Sequence, residues 1–209
     1  MSFARWTRRG LAGALLLGLA VVLAPAPGAA APAAADAEAM VRNVGDDVLA
    51  ILKDAGLTSD QKLERLIDLL EGPIDLDLVA RLILGRHWRS ATPEQQAEYL
   101  DLFRAYALDS LASKLHLYQG QVYEITSAKV LNERDALVTT RIVSDSRPPL
   151  SVDWRLREVD GELVAIDVIV ENVSMIVTQR SEFSSVVERQ GIDGLLAELR
   201  QRIESNRPA

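Results

Sequence analysis

Between residues 37 and 117 apolar positions recur at helical spacing, and over the next fifty residues they alternate. Residues 37–54 place Val41, Val44, Val48 and Ile51-Leu52 on one helical face. Gly56 ends that helix, and Thr58 with Gln61 reads as a capping box opening a second one. Its buried stripe, Leu63, Leu66, Ile67 and Leu70, runs up to Gly72-Pro73. Asp75 is placed to cap a short third helix carrying Leu76, Val79, Leu82 and Ile83, closed by Gly85. Thr92-Pro93-Glu94-Gln95 supplies a cap, a proline at the first helical position and a glutamine at the third. The long helix that follows, from about 93 to 117, is apolar around much of its girth through Tyr99, Leu102, Phe103, Tyr106, Leu108, Leu111 and Leu115.

Past Gly120 the period falls to two. Gln121–Val130 and Ala136–Ser144 read as a hairpin around Asn132-Glu133-Arg134-Asp135. In Leu150–Val159, Val152, Trp154 and Leu156 face one way; Ser151, Asp153, Arg155 and Arg157 face the other. Asp160-Gly161 marks a tight turn into Glu162–Val170, with Val164, Ile166, Val168 and Val170 on its apolar face and Leu163, Ala165, Asp167, Ile169 and Glu171 on a mixed one. Asn172 or Ser174 opens a helix with Ile176, Val177, Phe183 and Val187. Gly191 breaks it, and Asp193 caps a last helix that buries Leu195, Leu196, Leu199 and Ile203. Helices segregated around an antiparallel meander of four or five strands make the fold class α+β, in one domain with no internal repeat.

The first 35 residues follow a different pattern. Arg5, Arg8 and Arg9 precede a run of Leu, Ala, Val and Gly from Gly10 to Ala24, too short to span a bilayer comfortably, and then an alanine-rich tract. This predicts a cleavable signal peptide over residues 1–35, with Ala33-Ala34-Ala35 before Asp36 the preferred cleavage frame among several. The alternative is a retained anchor, and Arg8-Arg9 leaves the choice between general and twin-arginine export open. The domain predicted for 36–209 divides into helices over about 36–119, a sheet over about 120–171 and C-terminal helices over about 173–205. With the signal's three arginines gone, 20 basic residues face 30 acidic ones, a formal −10 that argues against nucleic acid and against lasting adhesion to anionic membrane. There is no cysteine, hence no disulfide, thiolate metal site or lipoprotein anchor.

Candidate chemistry is sparse. His87 and His116, the only histidines, have no metal-pair spacing, and the chain has no nucleophile-elbow, zinc-helix or phosphate-loop motif. Asp167 and Glu171 share a strand face but lie roughly 13 Å apart, beyond the reach of a glycosidase carboxylate pair. His87, Tyr106 and Asp153 are candidate acids or bases for an isomerase-like pocket, but each reads more simply as a solvated or structural polar residue, so an enzyme is not favoured. Periodicity leaves open whether the wide aliphatic faces fill a core or line a cavity.

Two blocks add a resemblance. Leu84-Gly85-Arg86-His87-Trp88-Arg89 with Thr92-Pro93-Glu94-Gln95-Gln96, Phe103 and Tyr106 forms the first. Ala165-Ile166-Asp167-Val168, Asn172-Val173-Ser174-Met175-Ile176-Val177, Arg180-Ser181-Glu182-Phe183 and Gly191-Ile192-Asp193-Gly194-Leu195-Leu196 form the second. In order and spacing they resemble the MlaC or toluene-tolerance family over nearly the whole mature chain. Gln179 stands where the family often has an aromatic, and Leu163-Val164 where it often has a tryptophan. The resemblance implies a periplasmic phospholipid carrier, monomeric and not an enzyme, that needs no cofactor or metal. It would hold acyl chains in an apolar cavity between a curved sheet and the helices. Its partners would be an outer-membrane lipoprotein complex and an inner-membrane ABC transporter, and its role the maintenance of outer-membrane lipid asymmetry. The apolar faces nominate Leu82, Ile83, Phe103, Tyr106, Val138, Val152, Trp154, Val164, Ile166 and Met175 as lipid-binding. Asp167 and Arg180, from the matched blocks, are expected to pair and fix the last strand to the next helix. Arg86–Arg89 reads either as a headgroup or partner contact or as a solvated helix end. An isomerase-like enzyme and a carrier of another hydrophobic cargo, such as lipoprotein acyl chains, are the alternatives.

Overall fold

The computed structural model describes residues 32–206 apart from 116 and 146. The expected signal sequence up to residue 31 and His116 lie outside the described residues. Ala34 and Ala35, the last residues of the preferred cleavage frame, already belong to the first helix, α1 (Ala34–Lys53).

The helix boundaries follow their capping chemistry. α2 (Ser59–Leu70) opens with a reciprocal box in which Thr58 Oγ1 accepts from Gln61 N at 3.3 Å and Gln61 Oε1 accepts from Thr58 N at 3.0 Å. Asp75 Oδ1 accepts from Leu78 N at 2.8 Å to start α3 (Leu76–Leu84). That helix ends at Gly85, whose φ of 57° only glycine adopts cheaply. A 3-10 helix, Gly85–Ser90, occupies the Arg86–Arg89 cluster. Thr92 and Gln95 repeat the reciprocal box at the start of α4 (Pro93–Leu115).

The sheet is an antiparallel meander in the order β1-β2-β3-β4-β5, formed by Val122–Val130, Asp135–Ser144, Arg147–Val159, Glu162–Val170 and Val173–Ser174. Asp160-Gly161 and Glu171-Asn172 both have positive φ throughout, as two-residue hairpin turns require. Asn172 is therefore a turn residue. The helix after it is capped by Ser174, whose Oγ accepts from Val177 N at 3.1 Å. That helix, α5 (Met175–Asn206), kinks at Gly191, where φ is 73° and ψ −179°.

The alternation expected along β4 is broken by a bulge. Arg155 pairs with Asp167 but Leu156 pairs with Ala165, so Ile166 is an extra residue without a cross-strand partner. Leu163 and Ala165 consequently join the cluster under α1, while Val164 and Ile166 bury themselves on the other side of the strand.

Two cores result. In one, α3, α4 and α5 pack around Tyr99, Phe103 and Phe183 with Leu84, Leu195 and Leu199. The rings form a tilted and edge-on cluster with centroids 5.9–6.4 Å apart, and buried Tyr99 donates to Ala80 O at 3.0 Å. Burial pushes the Tyr99 hydroxyl far above its ordinary pKa. In the other core α1 lays Ala37 and Val41 on Ala136, Val138 and Leu156 of the sheet. The long helix thus packs on helices, and the first helix covers the sheet.

Candidate functional site

The α1 core is incomplete along its length. Between the helix and the sheet lies a cavity of about 370 Å³. One wall is the α1 stripe Met40, Val41, Val44, Val48 and Leu49; Leu70, Pro73 and Ile74 of the α2–α3 connection close a second side. The sheet contributes Val122, Tyr123, Thr140, Ile142, Trp154, Leu156 and Ala165. Pro73 also ties this connection to the sheet, its carbonyl accepting from Ala165 N at 2.8 Å.

Polar groups on this wall are mostly satisfied within the protein. Trp154 Nε1 donates to Thr140 Oγ1 at 3.0 Å, and that hydroxyl donates to Val152 O at 3.0 Å, so the indole presents only carbon to the space. Tyr123 lies against α1 at Gly45, its hydroxyl donating to Asp46 Oδ1 at 2.7 Å with Arg42 O 2.9 Å away. A Cβ at position 45 would fall 2.6 Å from the hydroxyl end of the ring, so a glycine here leaves room for the tyrosine's close approach to the helix. Burial, then the hydrogen bond to Asp46, pushes the Tyr123 pKa up to about 12. No carboxylate, ammonium, guanidinium or imidazole lines the cavity among the described residues. The cavity can take up hydrocarbon.

A second cavity of about 280 Å³ adjoins between α1, α2 and the end of α4, lined by Leu52, Ser59, Asp60, Lys62, Leu63, Ala112, Leu115 and Tyr118. Tyr118 also lines the first.

Of the ten residues nominated from the sequence, Trp154 lies on the cavity wall. Val138 is buried beside it in the α1 core. Ile83 and Phe103, with Leu82 and Tyr106 against them, belong to the helical core. Val152, Val164 and Ile166 are buried off the wall, and Met175 is 42% exposed. Asp167 and Arg180 do not pair. Asp167 accepts from Ser174 Oγ at 2.5 Å and Ile176 N at 3.1 Å, holding the start of α5 to β4. Arg180 instead donates to Leu82 O at 2.9 and 2.6 Å, at the end of α3. His87, Tyr106 and Asp153 lie off the wall, and Tyr106 donates to Gln179 Oε1 at 3.2 Å. The described residues hold no cluster of three His, Cys, Asp or Glu fit for a metal, and no helix long and apolar enough to cross a membrane.

The wall residues not nominated from the sequence come in equal number from α1 and from the sheet, with the rest from the connecting segments. For α1 the signal was present: Val41, Val44 and Val48 share a face with a mid-helix glycine, and such a glycine usually marks a close approach.

A helix laid over a five-stranded meander, leaving an apolar space beneath it, is a specific arrangement, and the comparison with known proteins bears on it. The model of the family described as MlaC protein matches residues 42–201. The chain belongs to the MlaC family. It is 24% identical over 132 residues to the intermembrane phospholipid transport system binding protein MlaC of Haemophilus influenzae, covering 61% of this chain and 62% of that protein. To the toluene tolerance protein ttg2D of Pseudomonas putida it is 25% identical over 124 residues, 58% of each chain. The matches thus span about six tenths of each of these relatives. A solved phospholipid-binding protein of Ralstonia solanacearum, in complex with a phospholipid, superposes with a TM-score of 0.71 at 25% identity, covering 81% of this MlaC-family chain and 98% of its own.

Proposed function

We propose that this MlaC-family protein is a periplasmic phospholipid carrier that holds acyl chains in the cavity under α1. The observation that carries the reading is the wall itself: about 370 Å³ bounded by aliphatic and aromatic side chains, without a charged group among the described residues. Each methylene withdrawn from water contributes roughly 0.8 kcal/mol, so such a space retains a fatty chain by area alone and discriminates little between headgroups. The phospholipid held by the Ralstonia solanacearum protein, alike over 81% of this chain, supports the same cargo here.

Movement between an outer-membrane lipoprotein complex and an inner-membrane ABC transporter follows from this reading, with maintenance of outer-membrane lipid asymmetry as the outcome. Export by the N-terminal signal and the acidity of the mature chain both suit a monomer that must leave each membrane it visits. The reading assigns no catalytic step. The test is mass spectrometry of what co-purifies with the protein expressed with its own signal in a Gram-negative periplasm. Two-tailed phospholipid at near-stoichiometric amount is the expected result. Another apolar molecule, or none, would refute phospholipid as the cargo.

A further inference from the structure

The polar groups that meet the main cavity can be accounted for one at a time. Thr140, Trp154 and Tyr123 are bonded within the protein as described above. Gln121 accepts from Gln119 N at 2.7 Å and donates to Leu117 O at 3.3 Å. Tyr118 differs: its hydroxyl is buried and finds no hydrogen-bond partner among the described residues. Asp109 Oδ2 shares that condition but lines neither cavity. A buried hydroxyl without a partner is costly, and where one persists a ligand is a natural source of the missing bond.

The place of Tyr118 narrows what that ligand group is. The residue lines both cavities. On one side the wall is almost entirely apolar. The other side mixes apolar Leu52, Leu63 and Leu115 with Ser59, Asp60 and Lys62, whose Nζ is held by Leu52 O at 2.7 Å. Tyr118 therefore stands where the surroundings pass from hydrocarbon to polar. In a diacyl phospholipid the same passage occurs at the ester linkages, and an ester carbonyl accepts but cannot donate.

We propose that the Tyr118 hydroxyl donates a hydrogen bond to an ester carbonyl of bound phospholipid, fixing how deep the chain sits and setting a preference for ester-linked over ether-linked lipids. The inference rests on the phospholipid-carrier reading above. The acyl chain then occupies the space under α1, and the head emerges past Ser59 and Lys62.

The test competes dipalmitoyl phosphatidylcholine and its dihexadecyl ether analogue against a fluorescent phospholipid on the delipidated protein. The two lipids share chains and phosphate and differ in the carbonyls. Wild type is expected to prefer the ester by roughly three- to tenfold, the worth of one such bond. Tyr118→Phe, which keeps the ring, should bind the two lipids equally. A thermal melt checks that the variant is folded, and the comparison in wild type does not depend on it. Equal binding of the two lipids by wild type overturns the inference and leaves the carrier reading standing. Equal weakening of both lipids in Tyr118→Phe also overturns it, since that result would assign the hydroxyl to the shared phosphate. If the fluorescent phospholipid itself does not bind, the carrier reading fails and this inference with it.

Discussion

Gly45→Ala should reverse its usual sign in this protein. Gly45 lies within α1 in ordinary helical conformation, where replacing glycine by alanine normally stabilises by about 0.8–1 kcal/mol. Here the new methyl would fall 2.6–2.8 Å from three atoms of Tyr123, inside any ordinary contact distance. The ring must lift from the helix and give up its hydrogen bond to the Asp46 carboxylate, a charge-assisted bond worth roughly 1.5–3 kcal/mol. The net expectation is destabilisation by about 0.5–2 kcal/mol, measured as a lower urea midpoint at unchanged slope. In a Tyr123→Ala background the obstacle is gone, and the same substitution should stabilise by the usual amount. The cycle therefore predicts a change of sign, which the two single variants could not establish. Because Tyr123 lines the cavity, lifting it should also speed lipid exchange. A Gly45→Ala variant more stable than wild type would refute the close approach of helix and ring.

Three further outcomes follow from the same geometry. Asp135, buried and bonded by Arg155 and Arg157, has its pKa held well below the carboxylate range, first by the Arg157 hydrogen bonds and then by Arg155, against the cost of burial. A depressed folded-state pKa gives stability that is complete above the unfolded value near 3.9 and lost as pH falls below it; Asp135→Asn should cost about 2–4 kcal/mol at pH 7 and flatten the acid limb in a urea-midpoint series from pH 7 to pH 2. Trp154→Glu should abolish co-purifying lipid while Phe103→Leu lowers the melting temperature and keeps it, because the first residue is on the wall and the second in the helical core. Asp167→Asn should cost about 0.5–2 kcal/mol in chemical denaturation by weakening the start of α5, with lipid retained.

What was legible in the sequence was local. Thr58 with Gln61, Asp75, Thr92 with Gln95 and Asp160-Gly161 each carry their bonding partner within four residues, so the boundaries they set were readable without the fold. The faces of β3 were readable for the same reason, since alternation is a property of the strand alone. The site was not, because it depends on which helix covers the sheet. α4 is the longer and more aromatic helix, and its apolar girth suited either task. Its rings instead found Phe183, and the plainer stripe of α1 took the sheet. The bulge at Ile166 moved Val164 off the expected face, and no residue type announces a bulge there. Arg180 and Asp167 are expected to pair because both lie in the matched blocks, yet Arg180 finds its acceptor in the Leu82 carbonyl at the end of α3, a contact that no local pattern announces.

The location of the bound chain tests the account most directly. A phospholipid carrying a photoreactive diazirine near one acyl terminus, loaded onto the protein and irradiated, marks the residues around the chain. The account predicts adducts on α1 and β3 peptides, around Val44, Val48 and Trp154, and none on the Phe103 and Phe183 peptides of the helical core. Adducts confined to the helical core would contradict it.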